Sequence, residues 1–218
     1  MTRAEVLRAL VTPAAPPNRF YGVVVGVVTN NQDPDDMHRV KVRFPWLSKD
    51  TESVESNWAR VAAPMTGRGR GQYFLPEVDD EVLVAFEHGQ IDHPFVIGSL
   101  WNGQDSAPES NADGQNNHRT IKSRSGHVLR FNDKAGGETI EIIDRTGSNK
   151  IIIDSAANTI TIEAQSDITI KSTTGKLTMQ ANGIEMKSQL GVSVEAATSM
   201  DLQANAVVTV KGAMIRLN

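Results

Sequence analysis

The residues that could do chemistry are few and lie far apart in the chain. The five histidines are His38, His88, His93, His118 and His127. None of them belongs to an HExxH motif or to an i, i+4 pair on a helix. His88 and His93 flank the turn HGQIDH, where imidazoles beside Asp92 could bind a metal ion. A solvated turn is the simpler interpretation, and we predict no metal site there.

Acidic residues and known catalytic motifs give no stronger signal. Asp33, Asp35 and Asp36 resemble a calcium loop in composition, but no glycine or bidentate glutamate follows at EF-hand spacing. The chain has no GxSxG, SxxK or P-loop motif. It also has no cysteine, which excludes disulfides, thiolate zinc sites and a cysteine nucleophile. We therefore predict no catalytic residue, no metal site and no cofactor.

The charge balance and the apolar runs argue against two further classes. Lys and Arg number 22 and Asp and Glu 26, a formal net charge of -4, whereas nonspecific nucleic-acid binding needs a basic surface. Residues 1–11 carry charges inside their apolar stretch and do not read as a signal peptide. The apolar run at residues 23–28 is too short to span a bilayer. We expect a soluble protein made in the cytoplasm.

The strongest pattern in the chain is a pair of apolar residues at i and i+2 that returns about every eight residues in the second half. Such a pair places two side chains on one face of a short strand. The pairs are Leu129/Phe131, Ile140/Ile142, Ile151/Ile153, Ile160/Ile162, Ile168/Ile170, Leu177/Met179, Ile184/Met186, Val192/Val194, Met200/Leu202, Val208/Val210 and Ile215/Leu217. One such strand is not stable alone, so the array must stack on itself or on copies from other chains.

Composition divides the chain into two architectures. Every Trp and Tyr precedes residue 102, and the last aromatic residue is Phe131. Aromatic side chains fill the core of a globular domain, whereas a narrow β-prism admits branched aliphatics and Met. We predict a tail with a proline-rich linker at residues 1–19, a barrel at 20–101, a polar linker at 102–120 and a β-helical spike at 121–218.

The barrel prediction rests on five short candidate strands in about 80 residues. They are Phe20–Thr29, Arg39–Phe44, Trp58–Ala63, Glu81–Glu87 and Pro94–Leu100. Apolar residues alternate in several of them, as at Val40, Val42 and Phe44. Five strands of this length indicate a small closed barrel of the OB type.

Several stretches of this chain resemble the central spike proteins of contractile tails, namely phage baseplate assembly protein V and the VgrG proteins. The stretches are YGVVVGVV, HRVKVRFPW, WARVAAPMTGRGRGQYFLPEVDDEVLVAFEHG, HPFVIGSLWNG and SRSGHVLRFNDKAGGETIEIIDRTGSNKIIID. The resemblance covers roughly residues 20–218. It implies an all-β homotrimer in which an N-terminal OB-fold barrel is followed by an intertwined trimeric β-helix needle.

The resemblance also implies a role without catalysis. The chain would be a structural spike of a phage tail or another contractile injection particle, and would pierce the envelope of the target cell. Nothing here matches the large hub domain of VgrG proteins, so a separate hub protein is expected at the N-terminal end. His127 is the last histidine, which excludes an imidazole-bound metal at the tip, and a PAAR-like tip protein is expected at the C-terminal end.

Particular residues follow from this interpretation. Arg68 and Arg70 of the GRGRG segment are predicted to contact the hub or a neighbouring subunit, with an ordinary loop or phosphate binding as alternatives. The predicted tip-protein interface is Met214, Ile215, Leu217 and Asn218. The predicted needle core is Ile160, Ile162, Ile168, Ile170, Leu177, Met179, Ile184, Met186, Val192, Val194, Met200, Leu202, Val208, Val210, Ile215 and Leu217.

Two functions of other classes remain as alternatives. An OB-fold nucleic-acid binder would show exposed aromatics interleaved with Lys and Arg on the barrel, and would leave the repeats without a purpose. A β-helical tail-fibre enzyme that cleaves surface polysaccharide needs carboxylates on a broad aromatic-lined groove. The predicted spike has no aromatic residue after Phe131.

Overall fold

The computed structural model describes residues 19–47 and 55–216. The predicted tail and proline-rich linker therefore lie outside the described residues, apart from Arg19. The chain divides after Gln165 into two units, which are described separately. Among the described residues of the first unit, the regular elements are twelve β-strands and one short 3-10 helix, Glu87–Gly89, which agrees with the predicted all-β class.

A closed five-stranded barrel occupies the first part of the chain. Its strands are β1 (Val23–Asn30), β2 (Arg39–Arg43), β3 (Ala59–Val61), β6 (Glu81–Phe86) and β7 (Pro94–Ser99). A small hairpin, β4 (Thr66–Gly67) and β5 (Arg70–Gly71), lies between β3 and β6. The barrel closes in the order β1-β2-β3-β7-β6, with β3 and β7 parallel and the other neighbours antiparallel. Each of the five predicted strands is present, with ends shifted by at most three residues.

Alternation along the strands builds the barrel core. The inward residues are Val28, Val40, Val42, Phe44, Ala59, Val82, Val84, Phe86 and Val96, all buried. Phe44 and Phe86 meet with ring centroids 5.6 Å apart and are the two largest side chains of this core. Gly26 of β1 also points inward and is buried, because the side chain of Val42 fills the space that a Cβ atom would need. The barrel therefore buries its inward apolar side chains within a single chain.

A second, antiparallel sheet follows the barrel. Its strands are β8 (His118–Lys122), β9 (Val128–Asn132), β10 (Thr139–Ile143), β11 (Lys150–Asp154) and β12 (Thr159–Glu163), paired in chain order. The first four predicted apolar pairs lie on β9 to β12, and the register sets them opposite one another. Ile142 pairs with Leu129 on one side and Ile151 on the other, and Ile151 pairs with Ile162.

Hydrogen bonds within the β10–β11 turn help to hold this register. The β10–β11 turn is closed by Asp144, whose carboxylate accepts hydrogen bonds from Thr146 Oγ1 at 2.8 Å and Asn149 Nδ2 at 3.0 Å. These donors, the Thr146 hydroxyl first, lower the pKa of Asp144 to about 2. These hydrogen bonds fix the conformation and length of the β10–β11 turn. The turn then sets which residues of β10 and β11 lie opposite each other.

The second unit, from residue 166 onward, carries no strand among its described residues. Predicted needle-core side chains from Ile168 to Ile215 are exposed there, and Leu202 is 74% exposed. The predicted β-helix is therefore not present in the single chain, because a strand with two apolar residues has no partner strand to bond. No helix in the part of the chain that the structure describes is long and apolar enough to cross a membrane.

The packing at Gly26 gives a first test. An added Cβ would lie 2.3 Å from Val42 Cγ1, so we expect Gly26→Ala to destabilise the barrel by about 1–3 kcal/mol. Gly98→Ala in β7 is the matched control, since nothing lies within 4 Å of its Cβ position. Urea unfolding followed by tryptophan fluorescence measures both variants. Equal stability of the two variants would contradict the packing described here.

Candidate functional site: an unpartnered apolar sheet face

One face of the β8–β12 sheet is apolar and uncovered. Since side chains alternate between the two faces of a strand, the apolar pairs of neighbouring strands share one surface. Its members are Ile121, Leu129, Phe131, Ile140, Ile142, Ile151, Ile153, Ile160 and Ile162. Ile162 on the last strand is 59% exposed. Contiguous apolar patches of this kind mark interaction sites in soluble proteins.

The opposite face of the same sheet is mostly polar, with Val128, Ile143 and Ile152 among paired charges. Arg130 Nη1 lies 3.1 Å from Glu141 Oε2, and Lys150 Nζ lies 3.0 Å from Glu163 Oε2. Cross-strand pairs of opposite charge stabilise a sheet without needing a protein partner. Because the two faces differ in this way, we expect the sheet to associate with another surface through its apolar face.

Glu109 fastens the polar segment before β8 to this polar face. Glu109 Oε1 accepts hydrogen bonds from Thr120 Oγ1 at 2.7 Å and from Arg130 Nε at 2.9 Å. Its other oxygen lies 3.3 Å from His118 Nδ1. The Thr120 hydroxyl and the Arg130 guanidinium hold the pKa of Glu109 below its usual range, against the effect of partial burial. The segment predicted as a linker thus contacts the sheet, although its composition signals only a polar loop.

The candidate metal sites have structural explanations. Asp33 Oδ2 accepts a hydrogen bond from Arg39 Nε at 2.7 Å and also bonds backbone amides of its own loop. The Arg39 guanidinium holds the pKa of Asp33 far below its usual range. At the other turn, His93 Nδ1 lies 4.0 Å from Glu87. Within residues 19–47 and 55–216, no group of three or more His, Asp or Glu side chains is placed to bind a metal ion.

The outer surface of β2 and β3 bears on the nucleic-acid alternative. Trp58 lies under two cations, with Arg39 5.8 Å and Lys41 5.5 Å from its ring. This is the face with which OB folds bind oligomers. Both cations are already paired, Arg39 with Asp33 and Lys41 with Glu55 at 2.6 Å. These pairs make Arg39 and Lys41 less available to a phosphate backbone, while Arg43 and Arg60 also face outward on these two strands.

The remaining predicted residues are exposed or lie beyond the description. Arg68 and Arg70 lie on the small β4–β5 hairpin and are exposed. Met214 and Ile215 are also exposed, whereas Leu217 and Asn218 lie outside the described residues. The roles of both groups stay predictions.

Sequence reasoning missed one exposed feature, the adjacent aromatics Tyr73 and Phe74. They are 75% and 64% exposed, and they lie outside the five predicted barrel strands. The available signal was their position: they follow the glycine-rich hairpin and precede a proline, in a stretch without alternation.

Comparison with known proteins agrees with this geometry. Residues 24–101 match the family described as the type VI secretion system/phage-baseplate injector OB domain. The chain is 30% identical over 151 residues to the type VI secretion system spike protein VgrG1b of Pseudomonas aeruginosa, covering 67% of this chain and 19% of that protein. It is 30% identical over 149 residues to VgrG1c of the same species, covering 66% and 19%.

A relative from another genus shows a similar match. The chain is 32% identical over 111 residues to the type VI secretion system spike protein VgrG3 of Vibrio cholerae, covering 49% of this chain and 11% of that protein. The matched part of this chain thus spans about a fifth or less of the length of these relatives.

The Glu109 contacts predict a pH-dependent contribution to stability. Glu109→Gln removes the charge that Arg130 pairs with, and charged hydrogen bonds are worth about 1–3 kcal/mol. Because the folded-state pKa is lowered, this stabilisation is full above the unfolded-state pKa of about 4.3 and is lost as the pH falls through the folded-state value. Urea unfolding should separate the variant from the wild type at pH 7 and bring the two together in acid. A difference that persists in acid would contradict a charge effect.

Proposed function

Because residues 24–101 belong to the type VI secretion system/phage-baseplate injector OB family, we propose that this chain is the structural spike of a contractile tail or injection system. It would sit at the centre of a baseplate and be driven into the envelope of the target cell. The role needs shape and stiffness, and no catalytic step. The similarity to VgrG spike proteins supports the proposal.

The uncovered apolar sheet face is the observation that carries this proposal. Burying a Val, Leu or Ile side chain contributes roughly 1.5–3 kcal/mol. Association costs about 4–15 kcal/mol in lost translational and rotational freedom. A face of nine apolar side chains, followed by exposed pairs through Ile215, exceeds that cost when it meets a similar face. A second copy of the chain supplies such a face.

Three copies fit the pattern best. Strands stack at about 4.8 Å, and three chains interleaved around one axis would form a closed prism with the apolar pairs inside. The second unit would then gain the interchain hydrogen bonds that it lacks alone. Residues 121–218 would form this needle, and residues 20–101 the OB collar. Compression along the axis would have to break many of these bonds together, which gives the needle its stiffness.

The ends of the spike would carry its other contacts. The tail and the barrel, with Arg68 and Arg70 exposed on their hairpin, would attach to a separate hub protein. Met214, Ile215, Leu217 and Asn218 would seat a PAAR-like tip protein at the opposite end. The chain would be made in the bacterial cytoplasm and assembled there into the particle.

Solution mass tests the trimer directly. We expect light scattering after size exclusion to give three times the 23.7 kDa of one chain, with a species that survives SDS without boiling. The physical reason is the burial of the apolar face against two other copies. A monomer at every concentration would remove the basis of the spike proposal.

A pair of substitutions on one strand tests which face assembles. Ile162→Asp puts a charge on the apolar face of β12 and should abolish the trimer, because an unpaired buried carboxylate is strongly unfavourable. Thr161→Asp puts the same charge on the opposite face of β12 and should leave the trimer intact. Both positions are exposed in the single chain, so neither change disturbs a packed core. Trimers of both variants would refute the proposed interface.

A further inference from the structure

Tyr73, Phe74 and Val78 form an exposed apolar ridge on the barrel. Tyr73 and Phe74 are largely exposed, and the Tyr73 ring contacts His38 with a centroid distance of 4.5 Å. Aromatic residues are enriched at the centres of protein interfaces because they bury large areas at low entropic cost. None of the three ridge residues belongs to a site predicted from the sequence. None of them belongs to the barrel core or to the contacts of Glu109.

The ridge is held firmly although its side chains are exposed. Leu75 packs against the barrel core, and Pro76 is buried. Asn31 Nδ2 donates a hydrogen bond to the Pro76 carbonyl at 3.1 Å. The amide of Asp79 bonds the Val28 carbonyl of β1 at 2.9 Å. A backbone fixed at both ends presents the rings in one position, and preorganisation lowers the cost of binding.

The ridge borders the apolar sheet face. A groove of about 770 Å³ is lined by Tyr73, Phe74 and Val78 on the barrel side and by Ile121 on the sheet side. Ile121 is opposite Leu129 in the sheet, so it belongs to the apolar face already described. The barrel ridge and the first strand of the sheet face therefore line one groove within the first unit.

Charges around the groove are of both signs. Glu77 and Asp80 line the barrel side, and Lys122 and Arg124 line the sheet side. Arg124 Nη1 lies 2.7 Å from Glu77 Oε2 and spans the groove within one chain. In a ring of identical copies, each contact joins two different patches that must complement each other. The groove carries positive and negative side chains, so it can pair with the charges of a second copy of the chain.

We propose that this ridge is an intersubunit contact, in which Tyr73 and Phe74 of one copy pack on Ile121, at the barrel end of the apolar sheet face of a second copy. The inference rests on the proposed trimer and adds a specific task for the barrel. Each collar barrel would grip the first strands of a neighbouring needle. The ridge would thereby fix the rotation of the collar about the needle axis.

Photo-crosslinking tests the contact in the full chain. p-Benzoylphenylalanine replaces Phe74, and we expect irradiation to join two copies with the attachment within residues 118–163. Tyr21 is the matched control, because it is an aromatic of similar exposure, 67%, and does not line the groove. The same probe at Tyr21 should give no such product.

Substitution provides the second readout. Phe74→Ala should shift dissociation of the trimer to lower denaturant concentration, and Tyr21→Ala should not. Light scattering comes first and separates the possible failures. A monomer overturns the proposed function and this inference together. A trimer without a cross-link between copies from position 74, or with a cross-link confined to one chain, overturns this inference alone.

Discussion

Apolar side chains that alternate along a strand must be covered on the side to which they point, and this constraint divides the molecule. In the barrel, the strands curve until the inward residues of β1, β2, β6 and β7 meet one another, and the core closes with Phe44 against Phe86. In the β8–β12 sheet the strands pair side by side in chain order, so the apolar residues gather on one open face. The first arrangement is complete within a chain, and the second is not.

This difference explains why the two halves contain different residues. A barrel that closes on itself encloses a wide interior, which valines line and two phenylalanines fill. A face that meets copies of itself around an axis has room only for short or flexible side chains, and Ile, Val, Leu and Met dominate after Phe131. The polar face carries cross-strand ion pairs such as Lys150 with Glu163, which need no further partner.

Sequence patterns predicted the strands well and their partners less well. Alternation at Val40, Val42 and Phe44 located β2, and the isoleucine pairs located β9 to β12, because side-chain period follows directly from strand geometry. The same pattern serves pairing within a chain and between chains, so it does not distinguish a meander from a needle. The parallel contact of β3 with β7 also depends on barrel closure and leaves no local signal. Glu109 was missed because its partners Thr120 and Arg130 lie 11 and 21 residues away in sequence.

The open edge of β12 has a consequence for how the protein must be made. Residues 159–163 read TITIE, a short β-prone run whose outer backbone groups have no neighbouring strand in the described sheet. Such an edge pairs readily with other chains, including wrong ones. Hairpin contacts between consecutive strands form quickly, whereas a meeting of three chains depends steeply on concentration. If three chains meet as proposed, a newly made chain would pass through an interval in which this edge is folded and exposed, and a high local concentration of chains would shorten that interval.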